Sequence, residues 1–211
     1  MRVNSAAIPM SLLANHPERA EIVAQLHRNI VLRRLPADAF SELEPLLSVV
    51  DYRKADVLLT QGAHDMEQYF VIDGVLKRVV SSQDGKEMIL RFAKEDDMDT
   101  SYAAWRLRTP APYSIRAVTK ARVAKLPLPH WAEFLEAHPD LKEDFEYEVM
   151  FLMSEVMAHT ITLHLLDAPG RVHRFVRKHP DLAERVPKKE LASYLNLSAE
   201  TLSRLKHAGK I

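Results

Sequence analysis

The 211-residue chain contains no cysteine, and this absence removes several classes of site at once. Without thiolates it cannot form disulfides, cysteine-ligated zinc sites or cysteine-ligated iron–sulfur clusters. A chain without cysteine fits a reducing compartment, so we expect a cytoplasmic protein. Glycine is scarce as well, and three of the five glycines (Gly62, Gly74 and Gly85) fall in one segment, where they separate short apolar runs.

Long apolar runs are also missing. No stretch reaches about 18 apolar residues, so the sequence predicts no membrane-spanning helix. Residues 1–21 lack the continuous apolar core of a secretory signal. The chain has no P-loop, no G-x-S-x-G elbow and no H-E-x-x-H helix. With 47% apolar and 27% charged residues, the composition is that of a globular protein. Because the catalytic motifs and the long apolar runs are missing, we expect neither an enzyme nor a membrane partner.

The formal net charge is zero, but the charge is unevenly distributed. Residues 169–211 hold 10 Lys/Arg and 4 Asp/Glu, a net of +6, whereas residues 1–168 hold 19 and 25, a net of −6. A cationic terminal segment is the electrostatic signature of a module that binds phosphate backbones.

That cationic segment contains two short helical patterns. Apolar residues recur at helical spacing in two runs, Leu191 with Tyr194 and Leu195, and Leu202 with Leu205 and Ala208. Asn196 lies between the runs and tolerates the positive φ that a tight turn requires. Ser198 is a predicted N-cap and Gly209 a predicted helix end. The pattern predicts a helix-turn-helix, although any small helical hairpin with a solvated face would read similarly.

The second helix presents small, polar and basic side chains on its outer face, which suits insertion into a DNA major groove. The sequence of this helix, LSAETLSRL, resembles the recognition helix of the CRP/FNR family (cyclic-AMP receptor protein / fumarate-nitrate regulator) of bacterial transcription factors. The resemblance implies base contacts from Glu200 and Arg204, with Ala199 beside them. Phosphate contacts are expected from Lys188, Lys189, Ser198, Thr201 and Ser203. The simpler interpretation of Glu200 and Arg204 is a surface ion pair between residues i and i+4.

Short strand-like runs between residues 49 and 126 are separated by turn signals without intervening helices, which favours an antiparallel β-roll. Residues 32–128 resemble the cyclic-nucleotide-binding roll of the same family, in pieces such as DGKEMILRFAKEDD. The expected fold is α+β: an N-terminal antiparallel β-roll (a double-stranded β-helix), a long dimerisation helix and a C-terminal helix-turn-helix.

The sequence departs from the family where nucleotide-binding members hold the cyclic phosphate. Thr100 and Ser101 stand in place of Gly-Glu, and Ala111-Pro112 in place of the phosphate-binding Arg and its neighbour. Four acids, Glu95, Asp96, Asp97 and Asp99, precede this region and would repel an anion. We therefore expect no cyclic AMP binding. A pocket for another effector could be lined by Thr100, Ser101, Tyr102, Trp105 and Tyr113, although aromatic residues are more often core. Haem is not excluded, because ten histidines are present.

Residues 139–168 predict a long helix with a coiled-coil-like seam. The seam residues alternate by four and three: Phe145, Val149, Leu152, Val156, His159 and Leu163. They predict a homodimer interface, unless the stripe packs on the chain's own roll. Residues 167–170 (DAPG) predict a hinge that stops this helix.

The predicted domains are a roll with flanking helices (residues 1–138), the dimerisation helix (139–168) and the helix-turn-helix (169–211). Only Lys210 and Ile211 follow the expected recognition helix, so its β-wing is truncated in this sequence. The resemblance implies double-stranded DNA, a second copy of the chain and RNA polymerase as partners, with an unknown small-molecule effector and no metal. The alternative is a ligand-sensing or protein-interaction module whose degenerate helix-turn-helix does not read DNA.

Overall fold

A computed structural model describes residues 10–207, with side chains as far as residue 205. The strands are β1 (Met10–Leu12), β2 (Ser48–Tyr52), β3 (Val57–Leu59), β4 (Glu67–Asp73), β5 (Leu76–Ser81), β6 (Glu87–Ala93), β7 (Met98–Thr100), β8 (Ser114–Ala117) and β9 (Ala121–Pro127). The helices are α1 (Arg19–Leu26), α2 (Ala37–Leu43), α3 (Tyr102–Arg106), α4 (Leu128–Ala137), α5 (Pro139–Leu165), α6 (Ala168–Lys178), α7 (Pro180–Arg185), α8 (Lys188–Tyr194) and α9 (Ala199–His207).

The strands form two antiparallel sheets that together make the expected roll. One sheet has the order β1-β2-β9-β4-β7, and the other β3-β8-β5-β6. The β4–β5 turn passes through Gly74, whose φ of +91° is open to glycine at little cost. A Cβ at this position would lie 2.2 Å from the Lys120 carbonyl oxygen, so the turn also needs the absence of a side chain. The predicted antiparallel roll, long helix and following helices are confirmed.

The main core lies inside the roll and under the first turns of α5. Trp131 of α4 is fully buried and meets Phe70 of β4 edge-on at 5.4 Å between ring centroids. Phe145 of α5 meets the same indole at 5.3 Å and Tyr102 at 5.0 Å. These contacts fix the start of the long helix against the roll.

A second core joins the roll to the C-terminal helices. On the roll side it contains Val75, Val79, Ile89, Phe92 and Val118. On the helical side it contains Val172, Phe175, Leu182, Val186, Leu191, Ala192, Leu195 and Leu202. The back of the helix-turn-helix therefore packs on the roll of the same chain, which the sequence did not predict.

The prediction that Pro169 and Gly170 stop the long helix is wrong, because both residues lie inside the next helix, α6. The helix α5 ends at Leu165, and Leu166 is extended. Asp167 then caps α6, because its carboxylate accepts a hydrogen bond from the Gly170 backbone N–H at 2.9 Å. Pro169 occupies the first turn of α6, where the absence of its N–H costs nothing. The chain changes direction over Leu166 and Asp167 alone.

Candidate nucleic-acid interface

The helix α8, a short turn and the helix α9 form the predicted helix-turn-helix. Asn196 in the turn has φ of +53°, as the sequence indicated. The turn is closed by the Leu197 backbone N–H, which donates to the Ala192 carbonyl at 2.9 Å. Ser198 caps α9, because its Oγ accepts from the Thr201 backbone N–H at 3.0 Å. The predicted stop at Gly209 lies outside the described residues.

The outer face of α9 is open to solvent. Ala199, Glu200 and Arg204 are exposed, whereas Leu202 on the opposite face is 6% exposed. Arg204 Nη2 donates to Thr201 Oγ1 at 3.3 Å. Within residues 10–205 no ion pair joins Arg204 to Glu200, so the surface-pair interpretation does not describe this arrangement. The guanidinium remains available for an external acceptor.

The residues expected to contact phosphate surround this face. Lys188 and Lys189 are exposed in the first turn of α8, and Ser198 is exposed before α9. Thr201 and Ser203 are half-buried. The structure thus brings the predicted base-contacting and phosphate-contacting residues to the two helices of one motif.

Four ion pairs hold the C-terminal helices in place. Three of them join these helices to the roll, with donor–acceptor distances of 2.5–2.7 Å: Lys77–Glu190, Lys94–Asp181 and Arg185–Glu95. The fourth joins Lys178 of α6 to Glu155 of α5. The Lys77–Glu190 pair is the most enclosed of the roll contacts, with side chains 9% and 23% exposed. These pairs orient α7 and α8 on the roll while α9 faces outward.

The predicted dimer face of α5 is turned toward its own chain. Phe145 is fully buried in the main core, so it cannot belong to a dimer interface in this arrangement. Val149 and Leu152 pack against that core. His159 stacks on Tyr194 of α8 at 3.8 Å between ring centroids, and Val156 and Leu163 are half-buried. Phe145, Val149, Leu152 and His159 therefore fit the alternative that the stripe packs on the chain itself.

The opposite face of α5 carries a second apolar stripe, which is exposed. Tyr147, Met157 and Leu165 are 61%, 65% and 77% exposed, respectively. Met150 and Ile161 are also exposed. With Ser154 and His164, these residues follow the 3–4 spacing of a coiled-coil seam. We call this set the outer stripe: Tyr147, Met150, Ser154, Met157, Ile161, His164 and Leu165.

The residues predicted to line an effector pocket are largely packed. Thr100, Ser101 and Tyr102 are 3%, 2% and 6% exposed. Tyr102 stacks with Trp105 at 5.9 Å and reaches Phe145, which places both aromatic residues against the core. Tyr113 is half-buried and donates its hydroxyl to the Thr100 carbonyl at 2.7 Å. These contacts favour the interpretation of the aromatic residues as core.

A buried charge network lies beside the predicted pocket residues, and the sequence analysis did not predict its arginine residues. Arg78 Nε donates to Asp99 Oδ1 at 2.7 Å, and Arg78 Nη2 donates to the Thr100 carbonyl at 3.0 Å. The Arg78 guanidinium also lies 4.7 Å from the Tyr113 ring centroid. Burial opposes the charge of Arg78, but Asp99 raises the pKa of Arg78 above its usual value. The signal in the sequence was an arginine directly before two valines in a strand-like run, LKRVVS.

Each of the four acids expected to repel an anion has a basic partner. Asp99 pairs with Arg78, and Asp97 lies 3.7 Å from Arg91. Asp96 lies 3.7 Å from Arg28, and Glu95 pairs with Arg185. Arg91 Nη1 also lies 3.8 Å from Asp99 Oδ2. Neighbouring cations therefore compensate these charges in part, and the expected repulsion of an anion inside the roll rests on Asp99, which is fully buried.

Within the described residues, no cluster of three or more His, Asp or Glu side chains could hold a metal ion. The same residues contain no helix that is long and apolar enough to cross a bilayer.

A family profile for the cyclic nucleotide-binding domain matches residues 49–138. The chain is 20% identical over 164 residues to the cAMP-activated global transcriptional regulator CRP of Escherichia coli O157:H7, covering 73% of this chain and 78% of that protein. It is 24% identical over 190 residues to the nitrogen fixation regulation protein FixK of Bradyrhizobium diazoefficiens, covering 85% and 78%.

Solved structures share the fold. The c-di-GMP responsive global regulator CLP of Xanthomonas campestris superposes with a TM-score of 0.69 at 16% identity, covering 82% of this chain and 92% of that chain. FixK2 from Bradyrhizobium japonicum gives a TM-score of 0.65 at 17% identity, covering 76% and 85%. A CooA mutant from Carboxydothermus hydrogenoformans gives 0.65 at 17% identity, covering 86% and 84%.

Proposed function

This chain belongs to the CRP/FNR family of transcriptional regulators, and we propose that it binds specific DNA sequences as a homodimer and reads them with α9. The observation that carries the proposal is the position of Glu200 and Arg204. Both are exposed on a capped helix whose back is buried, inside a segment with a net charge of +6. A helix of this width and charge fits the major groove.

The proposed roles follow from side-chain chemistry. Arg204 can donate two hydrogen bonds to O6 and N7 of a guanine, and Glu200 can accept one from a cytosine amino group. Ala199 offers a small apolar contact for a base methyl group. Lys188 and Lys189 would neutralise phosphates, and the hydroxyls of Ser198, Thr201 and Ser203 would donate to phosphate oxygens.

The outer stripe supports a dimer. Exposed apolar patches of this extent mark interaction sites, and the 3–4 spacing fits a second α5 running parallel. Two-fold symmetry about this helix pair would present two copies of α9, which must lie about 34 Å apart to read successive major-groove turns. The expected DNA site is therefore a near-palindrome.

The roll would respond to something other than cyclic AMP. The Arg78 guanidinium, a natural phosphate ligand, is already occupied by Asp99 inside the roll. A bound phosphate would have to displace that carboxylate or lie beside it in a region of low dielectric constant, which is strongly unfavourable. Isothermal titration calorimetry with cyclic AMP is expected to show no binding at micromolar concentration.

The test of DNA recognition begins with selection of bound fragments from a random DNA pool, followed by binding measurements against salt concentration. Replacing Arg204 with Ala should weaken binding to the selected site by about 1–3 kcal/mol and remove discrimination at one base pair of each half-site.

Lys188→Ala is the matched control, because it removes a proposed phosphate contact instead of a base contact. It should weaken binding to selected and random DNA by the same factor and make the salt dependence shallower by about one unit of slope. Unchanged DNA affinity in Arg204→Ala would favour the alternative, a protein-interaction module that does not read DNA.

A further inference from the structure

A crevice opens where β6 of the roll meets α5, α6 and α8. Its volume is about 140 Å³, and its walls include Phe92, His159, Arg174, Phe175 and Tyr194. None of the five residues predicted to line an effector pocket, from Thr100 to Tyr113, lines this crevice. Because its walls come from the roll, the long helix and the DNA-binding helices, a molecule bound here would touch all three parts of the chain.

Aromatic rings form one wall of the crevice. Phe92 of the roll lies 5.1 Å from Tyr194 and 6.4 Å from Phe175, measured between ring centroids. Phe175 and Tyr194 are 5.4 Å apart, and His159 stacks on Tyr194 with an interplanar angle of 4°. Rings in these orientations offer flat apolar surface that a further ring can contact edge-on or in an offset stack.

Among the described residues, Arg174 is the crevice cation that has neither a carboxylate nor a carbonyl partner. Lys178 pairs with Glu155, and the Arg171 guanidinium donates to the carbonyls of Leu166 and Leu195. Arg174 is half-buried, and no carboxylate lies within ion-pairing distance of it in residues 10–205. An arginine that is partly desolvated without a partner gains a strong, charge-assisted contact when a carboxylate arrives.

Three acids line the crevice, and two of them have basic partners: Glu155 pairs with Lys178, and Asp97 lies 3.7 Å from Arg91. The third is Glu148. It precedes His159 by eleven residues on α5, which is about 16 Å along the helix. The electrostatic gradient between Glu148 and Arg174 would orient an anionic group toward α6.

His159 reports on this electrostatic environment. Its Nε2 lies 3.0 Å from the Tyr194 carbonyl, which can only accept, so Nε2 carries a proton and donates to that carbonyl. The pKa of His159 is lowered to about 4, mainly by burial; the hydrogen bond to the Tyr194 carbonyl opposes this shift, and Lys178 and Arg174 add to it. An anion beside Arg174 would offset part of the positive field at the ring.

We propose that this crevice binds a small aromatic carboxylate, with its ring against Phe92, Phe175 and Tyr194 and its carboxylate paired with Arg174. The size fits one six-membered ring, since a protein cavity of about 150 Å³ holds benzene. Such a ligand would contact both the roll and the DNA-binding helices, and so regulate the release of these helices from the roll. That consequence rests on the proposed function, whereas binding itself does not.

The test uses benzoate as the probe on the full chain without DNA. Calorimetric titration should show binding, and at about pH 5, close to the lowered pKa of His159, the His159 ring resonances should move toward those of a protonated imidazole as benzoate is added. Benzamide, which is neutral and has the same shape, should bind at least about tenfold more weakly, because it cannot form the charge-assisted pair.

Arg174→Gln should reduce benzoate affinity by about tenfold or more. Arg177→Gln, an exposed position on the same helix that does not line the crevice, should leave the affinity unchanged. No benzoate binding at millimolar concentration, equal binding of benzamide, or equal affinity in Arg174→Gln would each overturn the proposal. If Arg174→Gln does not fold, the comparison of benzoate with benzamide on the unaltered chain still decides. Failure of DNA binding would leave these readouts unaffected.

Discussion

Asp99 is fully buried and compensates the charge of Arg78 inside the roll. Two buried partners of opposite charge tolerate the loss of solvent only together, because each alone would be an uncompensated ion in a medium of low dielectric constant. Arg91 adds a second guanidinium nearby, and burial lowers the pKa of Arg91 below its usual value. The region expected to hold an effector is thus stabilised by the chain's own charges.

Replacing Asp99 with Asn should destabilise the fold by about 3–5 kcal/mol, because it leaves Arg78 buried without a counter-ion. Urea denaturation followed by tryptophan fluorescence would measure the loss. Asp96→Asn is the control: Asp96 is half-buried, lies 3.7 Å from the exposed Arg28, and accepts a hydrogen bond from Gln25 that an asparagine Oδ1 can keep, so this change should cost less than about 1 kcal/mol. Equal effects of the two substitutions would contradict the role assigned to Asp99.

At the scale of elements, the helix α5 is apolar on two opposite faces. The face containing Phe145 and His159 packs on the chain itself, and the outer stripe faces solvent. From Tyr147 to His164, each residue of the outer stripe follows one of the predicted seam by two positions or by one in turn, which is about 200° or 100° around the helix, so both stripes satisfy the same spacing. The sequence therefore predicted a coiled-coil seam but could not distinguish the inner face from the outer one.

Charge in the outer stripe should dissociate the proposed dimer. We expect Ile161→Glu to convert the protein to a monomer at micromolar concentration, because it buries two carboxylates opposite one another in the seam. Sedimentation or light scattering would measure the mass. Leu107→Glu is matched in chemistry, since Leu107 is 74% exposed at the end of α3, and it should leave the mass unchanged. A monomeric unaltered chain would contradict the dimer.

The contact between α5 and α8 predicts a pH dependence of stability. His159 has a pKa lowered from 6.5 to about 4, first by burial, with the Tyr194 carbonyl opposing and nearby cations adding to the effect. The charged and titratable groups facing it are Arg174, Lys178, His179, Glu155 and Tyr194. The contribution of His159 is complete above pH 6.5 and is lost as pH falls toward 4, because only the unfolded chain takes up the proton in that window.

This loss should amount to about 1–2 kcal/mol, after allowance for the part of the ring that solvent screens. Denaturation at a series of pH values would measure it as the difference between the unaltered chain and His159→Gln. Burial also lowers the pKa of His179, so the unaltered chain and His159→Gln share the pH dependence that His179 contributes. His173→Gln, at an exposed position on α6, should retain the whole dependence. Parallel pH curves for the unaltered chain and His159→Gln would refute the assignment.

At the scale of the whole molecule, the sequence predicted the individual helices, strands and turns better than the packing of the C-terminal helices on the roll. The cap at Ser198 and the turn at Asn196 rest on local chemistry, which a sequence carries directly. The strand runs and their turns are local as well. The second core is not local: Phe92 meets Tyr194 across about 100 residues of chain, and the outward-facing side of β6 gives no sign that helices cover it.

That second core makes the roll and the C-terminal helices one cooperative body, and the Lys77–Glu190 pair tests this coupling. The unaltered chain should unfold in one calorimetric transition, with equal calorimetric and van't Hoff enthalpies. Lys77→Glu places two carboxylates together in a largely buried contact, where the partners lie 2.6 Å apart. It should therefore separate the transition into two, and the C-terminal helices should unfold first.

The charge-swapped double variant, Lys77→Glu with Glu190→Lys, should recover a single transition, with a coupling energy of about 1–3 kcal/mol between the two sites. Lys86→Glu is the control, since Lys86 is exposed at the β5–β6 turn away from the helices. Two transitions in the unaltered chain, or no recovery in the swap, would mean that α8 does not depend on the roll. The roll could not then transmit an effector signal to α9 through this contact.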